Sequence, residues 1–218
     1  MAEQITIRIS TFELTAWYQK LAVRLLADRT EVLQALFDAL SEFKPNPDDL
    51  EVISTGKITD QGVRLRLPGQ GITIFFGLAA CKFTKEGAIW AEADQIISIL
   101  QKFLQVLTDH GGIILGKKVA VLTLHLQPKT ISFKAILLPF VDERLRKIDP
   151  APLDAMAIVT RWPGRRITLD GSAQLANGIF AQMEREFAAE INLDQIRQNV
   201  FEDETNLFSV LDVLEVEP

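Results

Sequence analysis

The spacing of apolar residues changes period along this chain, and that change restricts the fold more than any other feature. Ala93, Ile96, Ile97, Leu100, Phe103, Leu104 and Leu107 recur every three or four residues, with Asp94, Gln95, Ser98, Gln101, Lys102 and Gln105 between them. This is the stripe of a helix that buries one face, and Gly111-Gly112 supplies its stop. From Leu50 to Cys81 the period is two instead. Val63, Leu65 and Leu67 alternate with Arg64 and Arg66, and turn residues at Thr59-Asp60-Gln61-Gly62 and Pro68-Gly69-Gln70-Gly71 separate three antiparallel strands, the last over 71–81. A chain that carries both periods in blocks reads as an α+β protein, an antiparallel sheet packed against amphipathic helices.

The remaining segments are assigned by the same rules. Ile5, Ile7 and Ile9 alternate with polar residues and predict a strand, after which Ser10-Thr11-Phe12-Glu13 matches a capping box and predicts a helix through Leu14, Trp17, Leu21 and Leu25. A second helix follows through Leu33, Leu36, Phe37 and Leu40 until Pro45 and Pro47 end it. Two strands over 119–127 and 131–138 are predicted to form a hairpin around Pro128, and two more over 156–160 and 166–169 to flank Trp162-Pro163-Gly164. Asp142 to Lys147 and the prolines at 150 and 152 mark an excursion with a short helix. Ala176, Ile179, Phe180, Met183 and Phe187 read as a helical stripe, followed by a short helix capped by Asn192. The 218 residues are taken as one compact unit, with Gly111-Gly112 the place where two lobes would divide.

The residues available for chemistry are few. Two histidines and one cysteine leave no C-x-x-C, no H-x-x-x-H and no nucleophile with a base at motif spacing, so no metal and no cofactor is assigned. Gly111-x-x-x-x-Gly116-Lys117-Lys118 approaches a phosphate-binding loop, but Lys118 stands where a hydroxyl should be and a helix precedes the loop where a strand should. Phosphate would meet the negative end of a helix there. His125, on the Thr123-His125-Gln127 side of its strand, is the one candidate acid or base. Arg161, Trp162, Arg165 and Arg166 crowd one hairpin turn, where they would grip a carboxylate, a phosphate or a planar ligand, or pair with the acidic C-terminal tail. The acidic run Glu202-Asp203-Glu204 itself reads as solvated surface charge.

The partner expectations follow from charge and from the tail. A net charge of -6 disfavours nucleic acid, and the longest apolar run is too short to span a bilayer, so a cytoplasmic chain with no membrane partner is expected. Leu207, Phe208, Leu211 and Leu214 form an apolar stripe that must be covered by the chain's own body or by a second copy. The resulting expectation is a non-catalytic interaction or regulatory protein that self-associates. A ligand-binding protein using the arginine turn comes second, and an enzyme built around His125 third.

Overall fold

The computed structural model describes residues 2–54, 56–57, 61–87, 90–146 and 157–216. The turn expected at Thr59-Asp60 and most of the excursion, over 147–156, lie outside them. In chain order the elements are β1 (Glu3–Tyr18), α1 (Val23–Ala27), α2 (Arg29–Ala39), β2 (Leu50–Ile53), β3 (Gly62–Leu67), β4 (Ile72–Gly77), β5 (Ala80–Glu86), α3 (Ala93–Asp109), β6 (Leu115–Pro128), α4 (Phe133–Leu137), α5 (Glu143–Arg146), β7 (Ala157–Trp162), β8 (Arg165–Gly171), β9 (Ile179–Phe187), α6 (Leu193–Leu211) and β10 (Val213–Glu215). The fold is α+β, with β2·β3, β3·β4, β4·β5, β5·β1, β7·β8 and β8·β9 paired antiparallel and β10 parallel to β1. The chain forms two compact units, one of 11–120 with 186–197, the other of 1–10 with 121–185 and 198–218.

In the unit built on 11–120, strands run in the order β2-β3-β4-β5-β1. Leu65 pairs with Ile74 and Ile74 with Phe83, so one face of the meander stacks large apolar side chains in rows. All three are fully or almost fully buried. α3 buries Ile96, Leu100, Phe103, Leu104 and Leu107 of the predicted stripe, with Ile99 and Val106 beside them while Ala93 and Ile97 are half-buried, and packs against α2. The Phe103 and Phe76 rings meet at 6.5 Å, joining helix to sheet. The single strand expected over 71–81 is two, because the chain reverses after Gly77 and sends Ala80–Glu86 back as β5.

In the unit built on 121–185, β9, β8 and β7 form an antiparallel series, and β10 extends β1 along Glu3↔Val213 to Ile5↔Glu215. The hairpin around Trp162-Pro163-Gly164 is where the sequence places it, with Gly164 at φ 68° completing the turn.

Three expected elements differ. β1 does not stop at a capping box: Ser10, Phe12, Leu14 and Ala16 are all buried, a period of two that continues past Glu13. Trp17 is therefore a strand residue, 37% exposed, rather than the core anchor of a helix. The segment 131–138 is not the second strand of a hairpin. Ser132 caps α4 by accepting from the amide of Ala135 at 3.2 Å, and a helical turn results. Ile179–Phe187 is a strand rather than part of a helical stripe, with Ile179, Ala181, Met183 and Phe187 buried on one side.

α6 merges the two C-terminal segments into one helix of 19 residues. Asn192 starts it as expected, its side chain accepting from the amide of Gln195 at 2.8 Å while the Gln195 side chain accepts from the amide of Asn192.

Candidate functional site

The glycine-lysine loop is occupied by its own fold. A Cβ at Gly111 would lie 2.4 Å from Leu25 Cδ2 and 2.5 Å from the Leu107 carbonyl oxygen, and Gly112 takes φ 61°, so both glycines serve the helix end. A Cβ at Gly116 would come to 3.0 Å from the Trp17 carbonyl oxygen. Lys117 sits 5.3 Å from the centre of the Trp17 ring. Lys118 is buried, and its Nζ donates to the carbonyls of Ala189 and, at 3.1 Å, of Ile191. Burial lowers the pKa of this lysine while the nearby Glu190 carboxylate opposes that shift. The Lys118 ammonium is therefore withheld from a phosphate, while Lys117 is exposed and lies 3.5 Å from the Glu186 carboxylate.

His125 is 6% exposed, and its surroundings fix its chemistry. Ser172 Oγ accepts from the amides of Gln174 at 3.2 Å and Leu175 at 3.1 Å, so its own hydrogen points to His125 Nδ1, 2.8 Å away. The imidazole thus accepts at Nδ1 and carries its proton on Nε2. Phe180 packs against the ring edge-on at 5.4 Å, and burial lowers the histidine pKa. A serine whose lone pairs are held by two amides is a turn anchor, and Nδ1, where a catalytic base would carry an orienting carboxylate, faces that hydroxyl instead. Sequence spacing offers no signal for Ser172, because 47 residues separate the pair.

The arginine turn is drawn inward. β8 and β9 pair Arg165 directly with Arg185, an arrangement of like charges that destabilises a ladder unless something lies between. Asp203 of α6 does so, at 2.9 Å from Arg165 and 3.2 Å from Arg185, while itself only 4% exposed. Along α6 the buried positions are Leu193, Ile196, Val200, Asp203, Glu204, Leu207 and Leu211, so two acids interrupt the apolar stripe. The expectation that Glu202-Asp203-Glu204 is simply solvated is corrected for Asp203 and Glu204. Burial raises the Asp203 pKa despite both guanidinium groups, desolvation outweighing their attraction. Arg165 also lies 5.5 Å from the Trp162 ring centre, and Arg166 meets Glu184 at 3.9 Å. Arg161 and Trp162 remain exposed, the indole at 49%.

The tail residues divide. Leu207 and Leu211 are buried, Phe208 is half-buried and Leu214 is 60% exposed. Beside Leu214 lies a groove of about 730 Å³, lined by Ala2, Glu3 and Gln4 of the β1 end, Thr130 and Ile131, Ala135, Ile136 and Pro139 around α4, and Leu211, Asp212 and Leu214. Glu3 holds its shape. The amides of Thr130 at 2.7 Å and Ile131 at 3.3 Å and the Thr130 hydroxyl all donate to its carboxylate, and these bonds keep its pKa below the usual range. The groove escapes sequence reading because its wall, Ile131–Leu138, has a largely apolar pattern that suits a buried strand as well as a helix.

Among the described residues no three of His, Cys, Asp and Glu converge to hold a metal ion, and no helix is long and apolar enough to cross a membrane. A comparison with protein-family models and with curated proteins finds no match.

Proposed function

We propose that the protein is a non-catalytic interaction protein and that the groove beside Leu214 is its docking surface. The observation that carries this reading is an apolar concavity left open at the end of β1. Ile136 and Leu211 line it as buried residues, while Ile131 and Leu214 stand 41% and 60% exposed. Leucine and isoleucine at a concave lip gain free energy when a partner removes them from water, at about 25 cal/mol per Å².

Leu214 is the residue to change, because its exposure lets the fold survive the substitution. Panning a random peptide library against the full chain, with Leu214→Lys as the counter-selected protein, should enrich sequences that bind only the parent. Sedimentation of both proteins over a concentration series separates docking of a foreign segment from self-association through the same lip. Peptides that bind both proteins equally, with no difference in their association state, would remove the groove as the docking surface.

A further inference from the structure

We infer that the groove selects a segment of another protein that combines apolar side chains with lysine or arginine. This rests on the reading of the groove as a docking surface and adds the chemistry of the partner. Among the described residues two carboxylates line the groove, Glu3 and Asp212, and no basic side chain does.

Among the described residues no lysine or arginine cancels the charges at this rim. Glu3 is satisfied by neutral donors, two amides and a hydroxyl, which hold it in place and keep it ionised without supplying a positive charge. Asp212 is exposed and holds φ 52° at the turn from α6 into β10, a conformation that aspartate tolerates. Neither carboxylate has a lysine or arginine at ion-pair distance among the described residues. Lys129 and Lys134 belong to the bounding segments, yet neither lines the groove. A groove lined by apolar side chains and by two carboxylates without a cationic partner among the described residues is complementary to an apolar-basic sequence and opposed to an acidic one. A second copy of this chain fits poorly, since its net charge of -6 brings like charge toward the same rim.

The test uses the full chain and three labelled synthetic peptides of equal length, alternating leucine with lysine, with serine or with glutamate, read by fluorescence anisotropy. The leucine-lysine peptide should bind most tightly and the leucine-glutamate peptide most weakly. Asp212→Asn should weaken the leucine-lysine peptide by about 1.5-fold to fivefold, the range for one exposed charge pair. The same charge change made elsewhere, Asp48→Asn, should leave it unchanged, and Leu214→Ser should weaken all three peptides. Equal loss in the two charge variants would show attraction to net charge alone and overturn the inference. Peptide binding that depends on Leu214 but ignores peptide charge would overturn the basic preference and leave the docking surface standing. Binding that ignores Leu214 altogether would overturn both.

Discussion

Asp203→Ala tests whether the pairing of β8 with β9 depends on a carboxylate supplied by α6. Arg165 and Arg185 face each other across the ladder, and Asp203 bonds to both. Removing one member of a buried charge cluster costs about 3–5 kcal/mol when the remaining charges reach no water. The two guanidinium-bearing side chains are 30% and 31% exposed, so solvent offsets part of that loss, and the expected cost is about 2 kcal/mol. For a chain of this length the thermal midpoint should fall by about 4–8 °C.

Asp203→Asn should behave differently. It leaves the same two guanidinium groups without a carboxylate but keeps an acceptor oxygen and the packing, so it should cost about 1 kcal/mol less than alanine. A carboxyl whose native pKa lies above its unfolded value binds protons more readily when folded. Its contribution to stability therefore falls as pH rises from the ordinary aspartate value through the native one, and the asparagine variant should lack that slope. Urea denaturation of the full chain at a series of pH values reads both quantities. Asparagine costing as much as alanine, or alanine costing nothing, would refute the reasoning.

Three further outcomes follow from the geometry. Gly111→Ala should destabilise by about 1–3 kcal/mol, because its Cβ meets the Leu107 carbonyl as well as the Leu25 side chain; an unchanged melting temperature would contradict the close approach. Cys81 is buried, donates to the Ala16 carbonyl at 3.8 Å and has its pKa pushed up to about 12 by desolvation, so a thiol reagent should label it only at the rate of unfolding. Labelling of the native protein as fast as an exposed thiol would oppose this. His125 has a lowered pKa, so its unfolded form takes up a proton first: stability should fall as pH drops below the ordinary histidine value and level off below the native one. His125→Gln should flatten that part of the curve, and denaturation midpoints over the same pH series measure it.

What is legible in the sequence depends on whether a segment satisfies one period or two. α3 fits the helical period alone, and β7 and β8 are divided by Pro163-Gly164, so both are readable. The segment after Ser10 satisfies both: Leu14, Trp17 and Leu21 step by helical intervals, while Phe12, Leu14 and Ala16 alternate. Tertiary burial of the alternating set decides for the strand. β9 is the same case, Ile179 and Met183 belonging to either pattern. Site residues are legible only as local clusters. The arginine turn is visible and its pairing with the acidic tail is among the expectations, but nothing in the order of residues reveals that β9 contributes Arg185 opposite Arg165. The groove depends on Glu3 accepting from Thr130, 127 residues away, and no local pattern carries that distance.

The path of the backbone between the two units has a consequence for how the protein can be taken apart. The chain passes from one to the other after residues 10, 120, 185 and 197, and these passages fall inside β1, β6, β9 and α6. Neither half is a contiguous stretch of gene, so no single truncation, protease nick or recombination event delivers one of them whole. Dissection by expression of fragments will fail for reasons of connectivity, and point substitutions in the full-length polypeptide are the route to assigning its parts.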